Sequence, residues 1–279
     1  MSGFSEDWLD YREPVDRRSR DQGLLGLLSA RLSGKPVRVL DLGAGTGSNL
    51  RALAPFLGED QKWTLVDNDL KLLLSAIRKL NAKRISSWEA MIEDSGLQIA
   101  LIERNLACPL RADELQGFSL VTASALFDLY SKEAIKDLVD SLAELNIGFY
   151  TSLTYNGLQS WEPSHNADDE IMKAFLLHQQ RDKGFGPAAG SNATAVLIEA
   201  FTARGYIVET ADSPWILGTA DIELLKLLES GIVQAVRETD EVSTKTLDDW
   251  KSIERTRAMV GHTDLIAWPR SFFSEAKFL

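Results

Sequence analysis

Cysteine is almost absent. Cys108 is the only one in 279 residues, so the chain forms no internal disulfide and offers no cysteine cluster to zinc. Histidine is scarce as well. His165, His178 and His262 leave little material for a metal site, and no metal is expected. No run approaches the ~18 uninterrupted apolar residues of a membrane span. The start, MSGFSEDWLDYREPVDRRSRD, lacks the apolar stretch of a secretory signal. These absences predict no membrane partner and a cytoplasmic address. A basic excess is missing too: 30 Lys and Arg face 41 Asp and Glu, a formal net charge of -11. That argues against a nucleic-acid-gripping protein, because neutralising phosphates needs a cationic face. Repeats and low-complexity segments are also absent.

What is present is ordinary globular material, 44% hydrophobic and 25% charged, of a length that fits one large α/β domain. Residues 1–35 read as helical. Trp8, Tyr11, Arg12 and Val15 have helical spacing, Pro14 is expected to split that run, and a leucine-rich helix over 23–32 stops at Ser33-Gly34-Lys35-Pro36. An alternation follows. Strands are expected at 37–41, 62–67, 98–103, 118–123 and 146–153, with helices at 48–57, 69–81 and 132–145 between them. A polar, helical insertion then runs from Tyr155 to about Gly190. A helix at 192–203, a sixth strand at 205–210, helical stretches at 219–238 and 244–258, and a seventh strand at 262–268 complete the chain. Strands alternating with helices predict a doubly wound α/β domain, a mostly parallel seven-stranded sheet with helices on both faces. Its parts are an N-terminal helical cap (1–35), a core (36–154), a lid-like insertion after strand five (155–190) and a C-terminal part (191–279).

The strongest signal is Val39-Leu-Asp-Leu-Gly-Ala-Gly-Thr-Gly-Ser-Asn49, which follows the first strand and opens a helix. Gly43, Gly45 and Gly47 permit a tight turn and close approach of a ligand to the backbone. Asp67 ends the second strand 20 residues past Gly47, where a carboxylate accepts from the ribose hydroxyls of an adenosine. The spacing is G-x-G-x-G, not the dinucleotide G-x-G-x-x-G. Asp41 at the strand tip would repel a pyrophosphate and suits a cationic ligand, such as one with an α-amino group.

Here the sequence resembles the class I S-adenosylmethionine-dependent methyltransferases. Their first motif, E/D-x-G-x-G-x-G, matches Asp41 to Gly47, and their acid ending the second strand matches Asp67. The resemblance implies a seventh strand antiparallel between strands five and six. It also implies that Asp41 and the Gly43, Ala44, Gly45 and Gly47 backbone hold the methionine part of S-adenosyl-L-methionine. Asp67 would hold the ribose with Asn68 beside the adenine, and Asn105-Leu106 would meet the adenine edge. The segment from Thr122 to Asp128 would line the methyl-transfer end. The expected activity is methyl transfer to a small-molecule acceptor.

Two side chains are candidates for a base: Asp128, whose competing reading is a helix cap, and His178, whose competing reading is a core histidine on a face shared with Ile171, Phe175 and Asp182. Cys108 before Pro109 reads as a small buried or semi-buried residue. Trp8, Tyr11 and Arg12, with Trp161, His178, Arg181 and Lys183, are expected to wall the acceptor pocket. Three other readings keep part of the pattern. A nucleotide-binding oxidoreductase conflicts with the loop spacing and Asp41. A methyltransferase acting on protein or nucleic acid shares the core, and so does a non-catalytic cofactor-binding protein.

Overall fold

A computed structural model describes residues 5–274. Ten strands form one sheet: β1 Val37–Leu42, β2 Gln61–Asp67, β3 Lys83–Arg84, β4 Glu89–Ile92, β5 Leu97–Glu103, β6 Leu120–Ser124, β7 Gly148–Glu162, β8 Tyr206–Asp212, β9 Trp215–Leu217 and β10 Arg257–Pro269. The order across the sheet is β3-β4-β5-β2-β1-β6-β7-β10-β8, with β9 pairing β10. β5, β2, β1, β6 and β7 run parallel, and β10 is antiparallel to both β7 and β8. Each expected strand has a counterpart, and β10 lies antiparallel between β7 and β8, where the seventh was expected. The strand count is corrected to ten by the β3–β4 hairpin on one edge and by β9 beside β10.

The helices are α1 Glu6–Ser19, α2 Gln22–Leu32, α3 Ser48–Leu53, α4 Leu70–Lys79, α5 Ala112–Leu115, α6 Lys132–Glu144, α7 Asp168–Gln179, α8 Ala193–Ala203, α9 Ile222–Arg237, α10 Thr244–Lys251 and α11 Ser271–Ser274. Alternate residues of the central strands feed two cores, as a period of two requires. Leu40, Leu42, Val121 and Phe149 pack with α6 and α8. Val39, Leu65, Tyr150 and Trp268 pack with α2, α3 and α4. A third core, containing Leu153, Tyr155, Phe175, Trp215, Trp250 and Val260, sits where the long β7 and β10 outrun the rest of the sheet.

Several expected boundaries move. Pro14 does not split the first helix: α1 runs unbroken through it. The missing donor would have met the carbonyl of Asp10, on the solvent side of the helix, so water replaces that bond at small cost. The break falls instead at Arg20, whose backbone is extended (φ -61°, ψ 137°). The insertion begins as strand, because β7 continues to Glu162 while paired with β10. The helix expected over 244–258 stops at Lys251, since Arg257–Val260 is needed for that pairing. Cys108 is exposed, not buried. Of the expected cap, α2 lies in the helical layer on the sheet. Only α1 crosses the carboxyl edge of the strands.

Candidate functional site

The strand order reverses at β1, whose neighbours β2 and β6 connect in opposite directions. A crevice opens outside the carboxyl ends at such a point, and the glycine loop lies there. Gly45 (φ +51°) and Gly47 (φ +78°) sit in the left-handed region, which costs a side-chain-bearing residue about 1–2 kcal/mol. At Gly47 a Cβ would also press against Ala76 at 3.0 Å, and at Gly45 it would meet Leu9 of α1 at 3.3 Å. The loop is pinned by Asp67, whose two carboxylate oxygens accept the Gly45 N–H (2.8 Å) and the Asp69 N–H (3.0 Å).

Asp41 is fully buried. One oxygen accepts from the Asn49 side-chain amide at 2.7 Å, and the same amide reaches Thr122 Oγ1 at 3.1 Å. The other oxygen, Oδ2, has no partner among the described residues. Burial pushes the Asp41 carboxyl up to about 7, against the pull of the Asn49 bond and the Arg20 charge. Arg20 is itself buried, at 3% exposure. Its Nη2 donates to Ser124 Oγ at 3.3 Å, while its Nε and Nη1 have no partner among the described residues. Beyond it, buried Asp264 accepts from the backbone N–H of Asp21 (3.1 Å) and Leu153 (2.8 Å) and from the Tyr150 hydroxyl (3.3 Å). Those bonds hold Leu153 at φ +57°, next to Ala125 at φ +50°. Non-glycine residues stay in that region only where their surroundings over-determine it, most often at functional sites.

Beside this cluster lies a chamber of about 140 Å³. α1 gives it Trp8 and Arg12, the turn after β6 gives Ala125 and Asp128, β7 gives Leu153, Tyr155 and Gln159, and α7, α9, β9 and β10 complete the wall. Asp128 Oδ1 is out of contact with water and has no partner among the described residues, and burial pushes its carboxyl up to about 6. His262 is 6% exposed. Burial and the nearby Arg12 charge push it down to about 3, so it is neutral at physiological pH. A wider depression at the outer side of α1 is lined by Asp10, Glu13, Arg17 and Lys79. These pair as Lys79 with Asp10 and Arg17 with Glu13, which leaves no free chemistry there.

The structure therefore gathers Asp41, Gly43, Ala44, Gly45, Gly47, Asp67 and Thr122 at the carboxyl ends of β1, β2 and β6, beneath α1, with Asp128 in the adjoining chamber. Asn68 is exposed at the tip of β2. Leu106 is buried, and the Asn105 side-chain oxygen accepts the Ala107 N–H at 2.9 Å within its own turn. His178 stands outside the chamber wall, 3.0 Å from Glu238 Oε2 and 3.3 Å from Lys183 Nζ. Trp161 is in the third core, while Arg181 donates to the Glu238 carbonyl at 2.8 Å. Sequence reading missed Arg20, His262 and Asp264. The last two carried a signal, a titratable pair inside an apolar strand. Arg20 carried none.

No family model matches the chain, and no curated protein matches it. Solved structures do. The YcgJ protein of Bacillus subtilis is 15% identical, with a TM-score of 0.52 over 89% of this chain and 99% of that one. A cyclopropane-fatty-acyl-phospholipid synthase-like protein of Lactobacillus casei is 15% identical, with a TM-score of 0.50 over 95% and 100%. At such identity the likeness is one of fold.

Proposed function

We propose that the chain is an S-adenosyl-L-methionine-dependent methyltransferase acting on a small molecule. The observation that carries this reading is the buried pair at the switch point. Asp41 has an unpartnered oxygen, and two guanidinium nitrogens of Arg20 have no partner within hydrogen-bond geometry among the described residues, with the Tyr150 hydroxyl beside the guanidinium. A buried polar group without a partner costs about 1–3 kcal/mol, so this pair fits a ligand that brings both charges, an α-amino acid zwitterion. The ammonium would meet Asp41, the carboxylate would meet Arg20, and the glycine loop admits the chain that follows. Asp67 stands where a ribose would sit, at the end of β2. A dinucleotide fits poorly, because its pyrophosphate would face Asp41. The bound cofactor would supply an electrophilic methyl group with a neutral thioether as leaving group.

The protein then has to align the acceptor and exclude water. It also has to take a proton where the acceptor carries one, and we place that role at Asp128 Oδ1. A carboxyl raised to about 6 is still mostly ionised at neutral pH but is a stronger base than an ordinary carboxylate, which favours proton removal from an acceptor. His178 we place outside the chemistry, tying the end of α7 to Glu238. Trp8 and Arg12 on one side, with Tyr155, Gln159 and Phe175 on the other, make α1 and the 155–190 segment the walls of the acceptor site. Calorimetry with S-adenosylhomocysteine and NADH tests the reading: saturable binding of the first alone is expected, and binding of NADH alone would overturn it.

A further inference from the structure

The chamber is small, partly open, and walled by aromatic rings, with unsatisfied buried polar atoms in the residues around it. At about 140 Å³ it matches the ~150 Å³ that takes one benzene ring. Trp8 and Trp215 stand 6.3 Å apart at 54°, Tyr155 and Phe175 6.1 Å apart at 71°, and His262 lies 5.1 Å from Trp215. Tilted rings at these spacings accept a further planar ring edge-on or offset.

Four buried polar atoms of the lining residues have no partner among the described residues: Trp8 Nε1, Asp128 Oδ1, Gln159 Oε1 and His262 Nδ1. The Gln159 amide nitrogen already donates to the Tyr155 hydroxyl at 3.0 Å, so its free oxygen is an acceptor. Asp128 offers a second acceptor. The Trp8 indole N–H is the donor among these four groups whose direction is fixed whatever the protonation or tautomer. Arg12 is held by Asp16 at 2.8 Å, which in turn takes the Trp215 N–H at 2.9 Å, and its charge still acts on Asp128 and His262. The acidic group in the wall is Asp128, whose Oδ1 has no hydrogen-bond partner among the described residues although the Arg12 and Lys183 charges reach it.

From this lining we infer that the chamber binds a single-ring acceptor that donates two or more hydrogen bonds and carries no negative charge, such as an amino- or hydroxyl-substituted aromatic or azole ring. An acyl chain would leave the four polar atoms unsatisfied, and an anionic ring would face Asp128. The name acceptor rests on the methyltransferase reading, but the binding site does not.

The test is calorimetry on the full chain with three probes: 3-aminophenol, 3-hydroxybenzoate and octanoate. 3-Aminophenol should bind saturably, about tenfold or more tighter than 3-hydroxybenzoate, and octanoate should not saturate. Leu228→Trp, from the partly buried face of α9 that lines the chamber, should abolish 3-aminophenol binding and leave S-adenosylhomocysteine affinity unchanged. The inference is overturned if no probe saturates, the result of a chamber that holds water only. It is equally overturned if an anionic probe binds best, or if Leu228→Trp binds 3-aminophenol as before. A separate titration with S-adenosylhomocysteine keeps the two readings apart. Ring binding without it sinks the cofactor assignment alone, and the reverse sinks the chamber alone.

Discussion

Asp41 illustrates how one buried carboxyl links stability to binding. Its folded-state value of about 7 lies above the ordinary ~3.9. The folded chain therefore holds a proton that the unfolded chain releases, and this carboxyl's contribution to stability falls as pH rises from about 4 to 7. A ligand ammonium beside it reverses the preference and expels the proton. S-adenosylhomocysteine should accordingly bind more tightly at pH 8 than at pH 6 and release up to one proton, read by calorimetry in buffers of different ionisation enthalpy. Asp41→Asn should flatten that dependence and weaken binding by about 1.5–3 kcal/mol. The same substitution should hold or raise the melting temperature at pH 8, because a costly buried charge is gone. At Asp128 the sign matters for rate. A base with a value near 6 is lost on protonation, so turnover of a neutral acceptor should fall about tenfold per unit below pH 6. A flat profile down to pH 5 would remove Asp128 from proton transfer. His262 stays neutral across that range and contributes no inflection.

Among the elements, α1 has the most to do with access. It lies over the glycine loop, with Leu9 at Gly45, and it is tied down mostly by polar bonds. Glu13 grips the Arg51 guanidinium at 2.6 and 2.7 Å, Glu6 meets Ser75, Asp10 meets Lys79, and Arg18 reaches Asp221 at 2.7 Å. The Lys79–Asp10 and Arg18–Asp221 pairs are partly exposed and worth about 0.2–1 kcal/mol each. Glu13–Arg51, by contrast, is mostly buried and Val15 anchors the helix in the third core, so Glu13–Arg51 is the polar contact that most holds the first turns over the loop. Glu13→Gln should speed cofactor release several-fold in stopped-flow fluorescence while lowering the melting temperature by only a few degrees. An unchanged release rate would mean that the cofactor enters by another route. The helix itself was legible from its spacing, but its continuity through Pro14 was not. Whether a proline breaks a helix depends on where the freed carbonyl points, and that is a tertiary fact.

At the scale of the whole molecule, β7 and β10 carry the design. They pair along their length and extend past the sheet, so one end builds the central core and the other builds the chamber. Close packing at the central end is strict. A Cβ at Gly148 would fall inside the Trp268 indole. Gly148→Ala should therefore cost at least the ~1–3 kcal/mol typical of overpacking, read as a lower denaturation midpoint, with cofactor affinity of the folded fraction preserved. A fully stable variant would show that this strand pair can separate, contrary to the packing described here.

The sequence by itself determined the alternation of strands and helices, the glycine loop between β1 and α3, and the acids at Asp41 and Asp67. All of these are written in spacings of a few residues, where backbone geometry alone sets what the chain can do. Tertiary structure decided which of two histidines approaches the site. His178 lies on an amphipathic helix whose neighbours vary with packing. His262 opens the expected seventh strand, and it reaches the site because β10 pairs antiparallel with the long β7. It also decided that Arg20, at a bend between two helices, points its guanidinium into the space between Asp41 and Asp264. That placement depends on residues 21 and 244 positions away in the chain, and no local pattern encodes a contact of that range.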